Sequence, residues 1–232
     1  SPRTPIVLDP IDSGSSVMTS ANQLWSVAQR NGRIYLPSVA SPPAVPLQFD
    51  RNVFAVVWVG DPATGSAISD PGGTTNLTRE VVDQVTTRPR FVLGDLVDMD
   101  FVPGTDVSYA VSRAADCVQR ITWNDGVGVV LGSTANDQIN ILGNQTTGLC
   151  QAPTGIALRS DATRAYLNWW VSRRLGVIDL TAQELLTTVE ASSYRVGSET
   201  SFPSVPSPRA TLPVIVSTLA SAFASEAALC CP

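Results

Sequence analysis

The sequence predicts an all-β fold, and three observations predict it. Short runs rich in Val, Ile, Tyr and Thr, at 33–36, 53–59, 107–111, 127–131 and 175–180, are separated by Gly, Pro, Asn and Asp. Three segments, 24–40, 98–114 and 154–170, superpose on a central tyrosine. Stretches of helical period are scarce, the best being 217–229, where Ala, Leu, Phe and Glu favour a helix.

Each repeated segment reads as a hairpin followed by further strands. An apolar strand carrying Trp25 and Val27, Met99 and Phe101, or Ile156 and Leu158 runs into a polar turn: Asn31-Gly32, Pro103-Gly104 or Ser160-Asp161. Alternation places the two apolar residues of each strand on one face. A second strand follows, with Tyr35, Tyr109 or Tyr166 eight residues after the second apolar position. Third strands are expected within 56–65, 118–126 and 175–183, and fourth strands at 66–69, 127–131 and 185–189. Four antiparallel strands per unit, repeated, are the blades of a β-propeller, so the expected fold is a propeller of four-stranded antiparallel blades. The tyrosines lie 74 and then 57 residues apart, longer than the ~40–50 residues of a compact blade. Long inserts at 41–52, 71–90 and 133–153 are expected to account for the excess, projecting from one rim.

Three blades do not close a ring of about 4–8, so the propeller is expected to be partial or completed by an oligomer. The remainder of a longer propeller is the first expectation and a second chain the alternative, with 5–8 and the tail from Thr211 as further contributors of strands. An open arc leaves strand edges exposed to pairing. The organisation is therefore an N-terminal extension at 1–22, blades with long loop inserts at 23–192, and a Pro/Ser-rich linker with a short apolar tail at 193–232.

Composition excludes more chemistry than it suggests. The 232 residues are 44% hydrophobic and 15% charged, enough apolar surface for a core. There is no His, and all 15 basic residues are Arg. The chain alone thus lacks a Ser-His-Asp or Cys-His pair, imidazole metal ligands, a c-type haem attachment sequence, a phosphate-loop lysine and a Schiff-base lysine. Net charge is −5 with no arginine cluster, which argues against nucleic acid as a partner. No secretory signal is visible at the start. The apolar stretch 212–231 is interrupted by Ser217, Thr218, Ser221, Ser225 and Glu226, a poor fit to a spanning helix. Among the cysteines, Cys117 and Cys150 are expected either as one disulfide in an exported chain or as buried thiols. The adjacent Cys230 and Cys231 have no assigned role.

Two constellations are candidates for a site. Asp95, Asp98 and Asp100, with Asp106 nearby, could offer oxygen ligands to Ca²⁺, since Asp98 and Asp100 alternate onto one strand face. The competing reading is that these carboxylates accept hydrogen bonds from turn amides. Trp169, Trp170, Arg173 and Arg174 could form an aromatic and cationic ligand or partner surface. Against it stands the aligned Arg113, which marks an Arg after the second strand as part of the repeat. The Gly-rich run 126–132 reads as a strand pair, not a phosphate cradle. Asn76-Leu77-Thr78 and Asn144-Gln145-Thr146 match the N-glycosylation acceptor pattern, a weak signal.

The run 153–189, PTGIALRSDATRAYLNWWVSRRLGVIDLTAQELLTTV, resembles the YVTN-type bacterial propeller repeat: Pro-x-Gly-Ile-Ala, a polar turn, Ala-Tyr, then Val-Ile-Asp and a Thr-rich turn. Ala162 stands where that repeat has a turn glycine, and Gln183 where it has the glycine after Thr. Residues 31–65 and 95–121 are similar to exported propellers of this kind, some of which are joined to a di-haem cytochrome c peroxidase-like module. The resemblance implies a propeller in an exported, periplasmic or extracellular, setting. The first functional expectation is a non-catalytic binding or scaffold module for a protein partner or other ligand, with any electron transfer supplied by a cytochrome module or partner outside these residues. No cofactor is expected in this chain. The alternatives are a lactonase-like hydrolase or quinoprotein-type oxidoreductase with a site in the central channel, and a surface or structural repeat protein.

Overall fold

Three antiparallel sheets follow one another along the chain, each built on a four-strand meander, and the first two carry a fifth, short strand off that path. The computed structural model describes residues 5–12, 17–42, 52–69, 71–85, 90–132, 134–142 and 151–190. An N-terminal hairpin of Ile11–Asp12 (β1) and Met18–Thr19 (β2) precedes them. The first blade orders Ala28–Arg30 (β3), Arg33–Ala40 (β4), Phe54–Asp61 (β5) and Ser66–Ala67 (β6), with Thr75–Asn76 (β7) also on β5. The helix Leu77–Gln84 (α1) then leads to the second blade. There Leu96–Phe101 (β8), Val107–Ser112 (β9), Cys117–Asn124 (β10) and Gly128–Val130 (β11) lie in sequence order, and Gln138–Asn140 (β12) also pairs with β10. The third blade is Pro153–Leu158 (β13), Arg164–Trp169 (β14), Arg174–Asp179 (β15) and Glu184–Glu190 (β16). The fold is therefore a partial β-propeller of four-stranded blades.

All three hairpin turns and most of the expected strands occur, but β3 spans only Ala28–Arg30, beyond Trp25 and Val27, and the first hairpin is set one residue away from the expected register. Arg30 pairs with Arg33 across Asn31-Gly32, and both turn residues have positive φ (51° and 76°), the requirement of a tight two-residue hairpin turn. Counting back from that turn, Ala28 and Arg30 face inward while Val27 is exposed. The turn geometry overrides the apolar alternation, because a shift of one residue exchanges the faces.

The fourth strand departs from a simple meander in the first two blades. In blade 1, β6 covers Gly60 and Asp61 while β7 covers Val56 and Val57. In blade 2, β11 covers 122–124 and β12 covers 117–119. Each outer strand is thus two short pieces separated by an excursion, and residues expected as rim insert (75–76 and 138–140) belong to the sheet. Short outer pieces also leave little edge for unwanted pairing. Blade 3 has one continuous outer strand, with a register shift opposite Val177 and Ile178.

The helix α1 lies inside the insert read as a Gly/Thr loop. Asn76 caps it by accepting from the Arg79 N–H at 3.0 Å, and Leu77 and Val81, one turn apart, are buried beside Leu93. Thr78 Oγ1 accepts from the Ala55 N–H (2.9 Å) and donates to the Leu93 carbonyl (2.6 Å), joining helix, blade 1 and the segment leading into blade 2. The expected helix at 217–229 and the tail lie outside the described residues, as do Cys150, Cys230 and Cys231. Among the described residues, no helix is long and apolar enough to cross a membrane.

Each blade has a tyrosine face and an opposite face, and the blades stack one type against the other. The tyrosine face of blade 1 (Tyr35, Val57, Val59) packs on Met99, Ala110, Ile121 and Trp123 of blade 2. The tyrosine face of blade 2 (Tyr109, Val111, Val118) packs on Ile156, Leu167, Trp169 and Ile178 of blade 3. The back of blade 1 (Phe54, Val56, Trp58) is covered by Leu8, Ile11 and Ala21. In place of the strand expected at 5–8, the N-terminal segment makes a single bridge, Val7 with Ser66.

Candidate functional site

The seam between blades 1 and 2 is built around one buried arginine. Arg30 donates from Nε (2.8 Å) and from a terminal nitrogen to Asp106 Oδ1, from Nη1 to the Tyr35 hydroxyl (2.9 Å), and from Nη1 to Asp125 Oδ1 (3.3 Å). Arg33 reaches the same Asp125 oxygen at 3.3 Å, and Phe101 lies under the Arg30 guanidinium at 5.8 Å. Asp106 sits in the β8–β9 turn and Asp125 in the β10–β11 turn, so blade 1 grips blade 2 by two hairpin turns. A guanidinium suits this place because its planar fork takes several acceptors at once and stacks on a ring.

The seam between blades 2 and 3 engages the aspartates singled out as metal ligands. Asp98 accepts from the Met99 N–H (2.9 Å) with one oxygen and from the Ile156 N–H (2.9 Å) with the other. Asp100 repeats the pattern two residues on, with Phe101 (2.9 Å) and Leu158 (3.1 Å). The pair therefore clamps the inner strand of the next blade through its backbone; the donors are strand N–H groups of β8 and β13 and not the turn amides considered in the sequence. Burial pushes the Asp98 carboxyl above its ordinary range, opposed by these N–H groups. Asp95, with φ at 47°, turns to Arg113, which donates to it at 2.6 Å. The Arg113 guanidinium lies 4.9 Å from the Trp25 ring centre, tying blade 2 to the segment before β3. Among the described residues no three His, Cys, Asp or Glu side chains converge as a metal-binding group.

The Trp169–Arg174 surface is divided by the sheet. Trp169 is 2% exposed and packs against Gly176, where a Cβ would come within 2.9 Å of the indole, whereas Trp170 is 41% exposed. Trp169 ends β14 on its core face and Trp170 begins the following turn, so the buried and the exposed ring do not form one surface. That correction removes Trp169 from the partner surface. Arg174 pairs with Glu190 at 3.2 Å, and Arg173 has a φ of 52° in the turn before β15. Cys117 is fully buried, and burial pushes its thiol well above the usual range; an inert core thiol fits that place.

Two surface features remain. A polar cavity of about 570 Å³ lies between the blade 1 excursion, α1 and β11, lined by Thr74, Asn76, Glu80, Gln84 and Val129 among others. Gln84 bridges it, donating to Glu80 (2.6 Å) and the Val129 carbonyl (2.8 Å) and accepting from the Leu131 N–H. The second feature is the tyrosine face of blade 3. Tyr35 is 0% and Tyr109 3% exposed, but Tyr166 at the equivalent position is 38% exposed. Leu175 at 40%, with Leu186 and Val189, shares in this exposed apolar surface. Among the described residues no blade covers it. The sequence did not mark this site, because Tyr166 holds the same place in the repeat as Tyr35 and Tyr109 and only a packed neighbour distinguishes them.

Three turn carboxylates are expected to lend the fold acid sensitivity. N–H groups of Ala63, Thr163 and Ala182 hold Asp61, Asp161 and Asp179 below the usual carboxylate range. A lowered native pKa contributes stability that is present above the unfolded value, near 4, and is lost as pH falls through the native value. Stability measured by urea unfolding is expected to decline below about pH 4, with a shallower decline in Asp161→Ala/Asp179→Ala.

Comparison with known proteins gives likeness of structure only. No family model matches the chain, and no curated protein matches it. Among solved structures, hydrazine synthase of Kuenenia stuttgartiensis aligns with 78% of this chain and 39% of its own at 14% identity and a TM-score of 0.47. A candidate 6-phosphogluconolactonase of Bacteroides uniformis aligns with 72% of this chain and 42% of its own at 14% identity, TM-score 0.40. AztD of Citrobacter koseri aligns with 76% and 36% at 11% identity, TM-score 0.39. This chain spans about two fifths of the length of those chains. With every score below one half, the propeller assignment rests on the three blades themselves.

Proposed function

We propose that the chain is an exported, non-catalytic propeller segment that acts as a binding or scaffold module for a protein partner, of which a c-type cytochrome module is the first candidate. The observation that supports this reading is the uncovered tyrosine face of blade 3, because contiguous exposed apolar surface on a folded protein marks an interaction site. The carboxylates that a hydrolase would use to hold a metal at the inner strands instead accept the backbone N–H groups of blade 3.

The test has two arms. Titrating the chain with a soluble di-haem c-type cytochrome by calorimetry is expected to show saturable binding, weakened about tenfold or more by Leu175→Glu on the open face. Incubation with small lactones in the presence of Ca²⁺ is expected to show no saturable hydrolysis. Lactone turnover that saturates and is lost in Asp98→Asn would overturn the non-catalytic reading in favour of a lactonase-like hydrolase. Absence of binding would remove the cytochrome.

A further inference from the structure

We infer that the open face of blade 3 is a self-association surface through which two copies of this chain meet about a two-fold axis running parallel to the strands. The inference rests on the reading of that face as a binding surface and names a second copy of the chain as its resting occupant, which a cytochrome would have to displace.

Blade 3 repeats the grip of blade 1. Ala28 pairs with Tyr35 and Arg30 with Arg33; in blade 3 Ala157 pairs with Tyr166, and the Arg159 N–H bonds the Arg164 carbonyl. Arg159 and Arg164 are therefore the structural counterparts of Arg30 and Arg33. In blade 1 those arginines hold carboxylates in the first and third hairpin turns of the neighbouring blade. In blade 3 they turn back on their own blade, Arg159 to Asp161 at 3.1 Å and Arg164 to Asp179. Blade 3 thus carries both halves of the contact, the arginines and the turn carboxylates, as a self-complementary interface requires.

The register shows how the halves would meet. Across the face, Ala157, Tyr166, Val177 and Thr187 form one row; Asn168, Leu175 and Val189 form the next. The charged rim row runs Arg159, Arg164, Asp179, Glu184. The cations lie just past the end of β13 and at the start of β14, and the anions at the end of β15 and the start of β16. A two-fold axis between β14 and β15 exchanges β13 with β16 and β14 with β15. It sets Arg164 opposite Asp179 of the second copy, Arg159 opposite Glu184, and Tyr166 opposite Val177. The middle rows carry no charge, so nothing repels an identical face, and an apolar centre with a charged rim has the composition of a protein interface. Head-to-tail addition is closed by the N-terminal segment, since Leu8, Ile11 and Ala21 already occupy the back of blade 1.

Sedimentation equilibrium of the full chain over a concentration series tests this. The wild type is expected to be a dimer that weakens with salt. Leu175→Glu and Tyr166→Glu, both on the exposed face, are expected to raise the dimer dissociation constant about 30-fold or more with an unchanged circular dichroism spectrum. Arg164→Asp is expected to weaken the dimer, and Arg164→Asp combined with Asp179→Arg to restore it. A wild type that stays monomeric, a dimer indifferent to Leu175→Glu, or failure of the charge exchange to restore pairing overturns the inference. If the wild type is monomeric while Leu175→Glu still weakens cytochrome binding, the face serves another protein and only the second-copy assignment falls.

Discussion

Asp98→Ala/Asp100→Ala is expected to destabilise the protein by about 3–6 kcal/mol and to leave it no less responsive to Ca²⁺ than the wild type. The two carboxylates accept four backbone N–H groups, two from β8 itself and two from the inner strand of blade 3. A buried donor deprived of its acceptor costs roughly 1–3 kcal/mol, and water reaching the partly buried inner edge offsets some of that. Asp98→Asn separates the explanations, because an amide keeps one acceptor oxygen and should recover part of the loss. Urea unfolding with and without Ca²⁺ is the measurement. A Ca²⁺-dependent rise in wild-type stability that vanishes in the double variant would restore the carboxylates to a metal site.

Trp123→Ala is expected to cost about 3–5 kcal/mol, the range for removing a large buried aromatic side chain. Trp123 is fully buried, stands 4.9 Å from the Tyr35 ring in an edge-on arrangement and 6.4 Å from Phe101, and donates its indole N–H to Ser108 at 2.8 Å. It belongs to blade 2 but fills the seam with blade 1, so its loss opens a cavity between blades and leaves the Ser108 hydroxyl without that donor. For a protein of this size the expected drop in melting temperature is roughly 10 °C. Trp123→Phe, which retains a ring in the seam, should lose clearly less. A drop of only a few degrees in Trp123→Ala would mean that the blades do not rely on a shared core.

Much of the fold was legible because blade structure is local. Asn31-Gly32, Pro103-Gly104 and Ser160-Asp161 all sit in hairpin turns, and the third strands end near Asp61, Asn124 and Asp179. The split outer strands were not legible, since Thr75–Asn76 and Gln138–Asn140 are too short to carry an alternating pattern and are held by β5 and β10. The helix α1 did carry a signal, the Asn76 cap with Leu77 and Val81 one turn apart, hidden among the Gly, Pro and Thr around it. The candidate site was less legible. Asp98 and Asp100 were singled out as possible metal ligands, but a carboxylate beside a metal and a carboxylate beside an N–H row have the same local sequence.

The chain's residue order by itself determined the repeat, its hairpins and the chemistry excluded by the lack of His and Lys, because strand pairing across short turns depends on neighbours in sequence. Tertiary structure alone decided which face of each blade is buried. Tyr35, Tyr109 and Tyr166 hold the same place in the same motif, and only the presence of a following blade distinguishes a core residue from an exposed one. Burial is a property of what packs against a surface, and the packing partner lies tens of residues away or in another molecule.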